Sequence, residues 1–106
     1  MKIAVPSTGE SATSLISDKL GRAPFLIFYN SLTGEYEAIK NPGFQIQDGS
    51  GLQTAELLIA EKTDVLLTKE IGRKAYSALM HQHINVRLLE LTGSVKSAVL
   101  KFLKDN

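Results

Sequence analysis

The stretch "LQTAELLIAEKTDVLLTKEIGRKAYSALMHQHINVRLL", residues 52–89, carries an apolar period that alternates between helix and strand. Leu52, Ala55, Leu58 and Ile59 recur at the spacing of one helical face, and Asp64 then precedes the run "VLLT", short enough for a buried strand. The pattern repeats: Ala75, Ala78 and Leu79 predict a second helix and "NVRLL", residues 85–89, a further strand. Val95, Ala98, Val99 and Phe102 continue it into a last helix. Strands joined through helices run parallel, because right-handed crossovers return each one in the same direction.

Upstream the signals change. "FLIFYN" (25–30) and "EYEAIK" (35–40) flank "SLTG", whose Gly34 suits the left-handed position of a hairpin turn. The two strands are expected to be antiparallel, the first more buried. "KIAV" reads as a short strand that Pro6 should stop, followed by a polar loop, 7–22, without apolar period. The predicted architecture is an α/β fold: a five-stranded mixed sheet, an antiparallel meander followed by strand-helix repeats, with the first strand central. Helices should begin near residues 51, 72 and 94.

A chain of 106 residues can bury one core and is too short for two, so residues 1–106 read as a single domain. Hydrophobic residues at 43% and charged residues at 22% leave no segment that must stay unfolded. The net charge of +1, with lysines interspersed among acids, argues against a nucleic-acid partner, which would demand a basic cluster or stripe. With no cysteine, the chain alone can make neither disulfides nor thiolate-held zinc or iron-sulfur sites. The first apolar run is too short for a signal peptide and no later segment reaches a membrane span, so a cytoplasmic location without a membrane partner is expected.

Open α/β sheets bind ligands beyond the carboxyl ends of their parallel strands. Here those ends lead into "PSTGE" (6–10), "TKEIGRKA" (68–75) and "ELTGSVK" (90–96), with Gly72 and Gly93 at helix starts. Helix N-termini favour anions, and Lys69, Arg73 and Lys74 add full charges. "SDKLGR" (17–22) would bring Lys19 and Arg22, either side of Gly21, to the same rim. "DGSG" (48–51) lacks the spacing and lysine of a P-loop and is read as turn chemistry. Lys96, Lys101 and Lys104 read as a solvated face, Tyr76 and Met80 as packing residues.

The segments "KIAVPS", "LGRAPFLIFY" and "GSGLQTAELLIAEKTDVLLTKEIGRKAYSALMHQHINV" together resemble the nitrogenase iron-molybdenum cofactor biosynthesis accessory proteins and their small stand-alone relatives. The most specific pieces are Gly21-Arg22-Ala23, Gly51, and Ile71-Gly72 with Ala75. The resemblance implies a ribonuclease H-like fold. It also implies non-enzymatic binding or transfer of an anionic metal-sulfur cluster, a molybdenum- or iron-sulfur species held non-covalently, with a cluster donor or acceptor protein as partner. Lys19, Gly21, Arg22, Gly72 and Arg73 are the cluster-binding candidates.

Two departures from the family pattern bear on chemistry. Lys19 and Leu20 stand where the family commonly has histidine and phenylalanine, which removes a candidate imidazole and leaves any metal ligand unidentified. His83 stands where the family usually has a helix-ending glycine, so it and His81 read as helix termination; a lone His-x-His lacks further ligands. Nuclease chemistry needs several carboxylates around metal ions, yet the first strand has no acid and Asp64 lies at the start of its strand. Ser7, Ser11 and Ser14 have no nearby base, so no enzyme is expected. The rival reading is a small-oxyanion-sensing or protein-interaction module using the same rim without metal.

Overall fold

A computed structural model of the chain describes residues 1–46, 48–90 and 93–105. Its elements are β1 (Lys2–Ser7), a 3-10 turn (Leu20–Arg22), β2 (Phe25–Asn30), β3 (Glu35–Lys40), α1 (Ser50–Ala60), β4 (Val65–Thr68), α2 (Arg73–His81), β5 (Asn85–Leu88) and α3 (Val95–Asp105). The five strands form one mixed sheet in the order β3-β2-β1-β4-β5. β1 and β3 flank β2 antiparallel, whereas β4 runs parallel to both β1 and β5. This is the expected ribonuclease H-like arrangement, with β1 central and the helices starting within a residue or so of the predicted positions.

The alternation of side chains along each strand divides the core in two. Ile3, Val5, Ile27, Val65 and Leu67 point to one face, where Val95, Val99 and Phe102 of α3 cover them. Ala4, Leu26, Phe28 and Leu66 point to the other, where Ala55 and Leu58 of α1 and Ala75 and Leu79 of α2 cover them. Burial on both faces explains why β2 and β4 are unbroken apolar runs, whereas β3 alternates with solvent. Leu52, expected on the buried face of α1, is 38% exposed, and Tyr76 and Met80 stand on the solvent side of α2 rather than in the core.

Pro6 does not stop β1; the strand continues to Ser7. On the β4 side the Lys2 carbonyl accepts from the Asp64 amide at 2.9 Å, and the Pro6 carbonyl accepts from the Ser17 amide at 3.0 Å. Parallel pairing with β4 covers Ile3 and Ala4, and Ser7 then bridges to Ile16 instead. The missing Pro6 N–H therefore falls where one neighbour gives way to another, a place where a strand tolerates proline. The segment after β1 is not merely polar: it plugs Ile16 into one core and Leu20 into the other.

Both α1 and α2 end in a left-handed residue, Lys62 (φ 55°) and His83 (φ 59°). Two backbone bonds close each end: Lys62 and Thr63 donate to Ile59 and Leu58, and His83 and Ile84 donate to Met80 and Leu79. The buried Ile84 against Leu79 seals the second end. The position of His83 is thus accounted for by helix termination, as expected.

One buried side chain ties the loops together. Asn41 Nδ2 donates to the carbonyls of Leu20 (3.0 Å) and Ala23 (2.9 Å), while its Oδ1 accepts from Thr54 Oγ1 (2.7 Å) and the Gly43 amide (3.0 Å). The four bonds use the full capacity of the amide and clamp the 3-10 turn to α1. Replacing Asn41 by Leu strands these partners in a buried place, and urea unfolding should show a loss of about 2–4 kcal/mol. His83→Gly should act in the opposite sense, raising stability by about 0.5–1 kcal/mol in the same assay, because glycine adopts the left-handed backbone without a Cβ clash.

Candidate functional site

The carboxyl ends of β1 and β4, the 3-10 turn and the N-termini of α1 and α2 converge at one end of the sheet. A cleft of about 330 Å³ there is lined by Lys19, Leu20, Gly21, Arg22, Ser50, Gly51, Glu70, Ile71, Gly72 and Ala75. Arg22, Gly72, Ser50 and Gly51 also line a neighbouring cleft with Asp48, Arg73 and Lys74. A third, with Thr8, Leu15, Ile16, Ser17, Asp18 and Lys69, again includes Lys19 and Arg22. The five residues singled out in the sequence thus share one rim, and Arg22 borders all three clefts.

The local backbone explains the convergence. After β1 the chain turns back alongside Ser7, and the Leu20 amide donates to the Glu70 carbonyl at 3.3 Å, so residues 19–20 lie beside the exit of β4. Gly21 is required by packing: a Cβ there would come within 2.9 Å of the Gly51 amide nitrogen and 3.0 Å of the Ser50 carbonyl carbon. Gly51 in turn faces Ala75, whose Cβ would lie 3.4 Å from a Cβ added at the glycine. Small residues bring the 3-10 turn, α1 and α2 together. Gly72 differs, because a Cβ there would meet nothing within 4 Å and its backbone (φ −74°) suits any residue.

The electrostatics are one-sided. Neither α1 nor α2 has an acid in its first turn or a side chain capping its N-terminus. Such caps ordinarily stabilise a helix by about 1 kcal/mol. Arg73 and Lys74 instead place like charge at the positive end of the α2 dipole, a small cost that an anion would reverse. Arg22 is oriented by a bond from Nη1 to the Ile46 carbonyl at 2.9 Å.

Three acids temper this field. Glu70 borders the first cleft and Asp48 the second. Asp18 Oδ1 lies 2.7 Å from Lys69 Nζ, so Lys69, expected as one of the rim's cations, is already engaged. The Lys69 hydrogen bond, then its charge, hold the Asp18 carboxyl below the ordinary carboxylate range against a smaller opposing effect of desolvation, and the Lys19 charge contributes least. No local pattern marks Asp18, Ser50 or Glu70 for the rim; the signal in the sequence is their neighbours Lys19, Gly51 and Ile71-Gly72. The "DGSG" turn also belongs to the rim, with Gly49 left-handed (φ 77°) ahead of α1. The "ELTG" end of the β5 connection includes Leu91 and Thr92, which lie outside the described residues.

Other candidates lie elsewhere. Asp64 stands at the opposite, amino end of β4, its Oδ2 accepting from the Lys2 amide at 2.8 Å. His81 and His83 are exposed at the far end of α2, with His81 Nδ1 3.0 Å from the Ser77 carbonyl oxygen. Among the described residues no group of three or more His, Asp or Glu side chains could hold a metal ion. No described helix is long and apolar enough to cross a membrane.

Known structures share this arrangement. The apo form of the orange protein from Desulfovibrio gigas superposes with a TM-score of 0.92 at 30% identity, covering 98% of this chain and 88% of that one. A Thermotoga protein of the DUF35 family gives a TM-score of 0.84 at 27% identity, covering 97% of this chain and 87% of its own. A comparison with curated protein sequences found no match. The model of the dinitrogenase iron-molybdenum cofactor family matches residues 1–105, and the chain belongs to that family.

Proposed function

We propose that the chain binds and carries an anionic metal-sulfur cluster, the iron-molybdenum cofactor, a precursor or a related molybdenum- or iron-sulfur species, without catalysing a reaction. The observation that carries this reading is the pair of helix N-termini, without side-chain caps or acids in their first turns, opening on the cleft that Lys19 and Arg22 border. Family membership supports the class of ligand. The chain has no thiolate, and its histidines lie away from the rim, so backbone N–H groups and cations are what it offers a cluster.

The apolar part of the lining favours sulfide over oxide. Leu15, Ile16, Ile71 and Ala75 border the clefts beside the cations. A strongly hydrated anion such as phosphate loses more than a large, polarisable sulfido anion does on meeting such walls. Gly72 fits the same reading: with no packing or backbone reason for glycine, its bare Cα lets a bulky anion approach the first amides of α2. Non-enzymatic carriage is supported by the position of Asp64 and by Ser7, whose buried hydroxyl donates to the Gly9 carbonyl at 2.7 Å rather than facing a base.

Anaerobic titration with tetrathiomolybdate, followed by gel filtration and molybdenum analysis, tests the reading. Retention should be strong at low salt and fall as ionic strength rises, since exposed charges are screened. Arg22→Ala should weaken binding by about 1.5–3 kcal/mol, the worth of a charge-assisted hydrogen bond, and His81→Ala should leave it unchanged. No retention at low salt, tighter binding of phosphate, or the reverse ranking of the two variants would overturn the proposal.

The two glycines should separate by mechanism. Gly21→Ala should cost about 1–3 kcal/mol of folding stability through overpacking against α1. Gly72→Ser should leave stability equal or a few tenths of a kcal/mol higher, roughly the gain from a better N-cap, yet weaken tetrathiomolybdate binding because its hydroxyl takes the donors offered to the anion. Thermal unfolding and the same titration, run on both variants, give the two readouts.

A further inference from the structure

The ion pair between Asp18 and Lys69 is asymmetric. The Lys69 side chain is 20% exposed and that of Asp18 74%, so a lysine whose stem is largely packed meets, at a solvent-exposed hydrogen bond, a carboxylate standing out in solvent. Both border the cleft of about 490 Å³ that Lys19 and Arg22 also line. The chain on either side of Asp18 is pinned: the Ser17 amide donates to the Pro6 carbonyl at 3.0 Å, and Lys19 bridges to Glu70. Asp18 can therefore leave Lys69 by side-chain rotation while the backbone stays in place. Its carboxyl is held ionised by the ammonium it pairs with.

We propose that Asp18 is a tethered counter-anion, an internal occupant of Lys69 that an incoming multiply charged anion must displace to reach all three cations of the cleft. The inference rests on the carriage reading above and adds to it a criterion for the ligand. A tethered group competes at an effective concentration in the millimolar range or above, so a singly charged solvent ion that gains only Lys69 is disfavoured. An anion that spans Lys69, Lys19 and Arg22 at once gains contacts that Asp18 cannot make. The latch thus selects for charge and size, keeping the site closed to chloride and open to a thiometallate.

The test compares tetrathiomolybdate affinity in the wild-type chain, Asp18→Asn, Glu70→Gln, Lys69→Gln and the Asp18→Asn/Lys69→Gln double variant, under anaerobic low-salt conditions. Asp18→Asn should bind about 2–5-fold more tightly than wild type, the range expected for releasing a solvent-exposed pair. Glu70→Gln removes the same charge from the same rim without touching the Lys69 ion pair and should bring a smaller gain than Asp18→Asn. In the Lys69→Gln background, Asp18→Asn should bring no gain. In the wild-type chain, the carbon-13 resonance of the Asp18 carboxyl should move toward that of a solvated aspartate as the ligand saturates, a readout independent of any variant.

A wild-type protein that binds tetrathiomolybdate while Asp18→Asn binds equally or more weakly overturns the latch and leaves carriage standing. Equal gains from Asp18→Asn and Glu70→Gln also overturn it, as does an Asp18 resonance that stays unmoved. If neither the wild-type chain nor Asp18→Asn retains the ligand, the carriage reading fails and the latch fails with it.

Discussion

The amide of Asn41 is the constraint on which the rim depends. Its four hydrogen bonds join three pieces of chain distant in sequence: the 3-10 turn at Leu20 to Ala23, the bend at Gly43, and α1 at Thr54. Without it, the turn would have to satisfy two carbonyls some other way, and Gly21 would have no reason to sit against the first turn of α1. A buried amide with all its donors and acceptors engaged has one low-energy arrangement, whereas an apolar plug could slide. The position of Arg22 follows, because the same bend continues to the Ile46 carbonyl that holds its guanidinium.

Sheet topology decides where that rim lies. β1 has an antiparallel neighbour on one side and a parallel one on the other, and its carboxyl end is where the two sides part. The gap is filled by residues 15–17, which replace β4 as the partner of β1 beyond Ala4. Helices following β4 and preceding it both present their N-termini to this end, so their dipoles add there. Acids in the first turns and side-chain caps would have improved α1 and α2 as helices; their absence at this one end is a local cost of the kind that concentrates at functional sites.

The sequence made the layers legible wherever one period persisted for a whole element. "FLIFYN", "EYEAIK" and "VLLT" are strands over those residues, and the four apolar positions of the last helix are all buried. Misreadings came where burial is set by tertiary context. Pro6 reads as a strand breaker until its neighbour is known to change at that point, and Leu52, Tyr76 and Met80 lie on helix faces that are only partly covered. The site was legible in part for the same reason. Glycines and cations near strand ends are visible one by one, but the pairing of Asp18 with Lys69 joins positions fifty-one apart in the chain, and no local pattern encodes it. Nor does "NPG" betray that its asparagine is the clamp.

A site built from charge and amides, rather than from thiolates, has consequences for exchange. Covalent ligation by cysteine would hold a cluster through bonds whose breaking limits release. A rim of cations and helix N-termini holds it through interactions that are individually modest, screened by salt and broken one at a time. In the carriage reading, this suits delivery: a partner offering even one or two metal-ligating side chains can take the cluster without first undoing a bond to the carrier. Asp18 adds a second element to that exchange. As the anion leaves, the tethered carboxylate is at hand to pair with Lys69 again, so the ammonium need never face the cleft without a counter-charge. Release is then a substitution of one anion by another within the same chain, and the barrier to handing over the cargo is lowered by the group that selected it on entry.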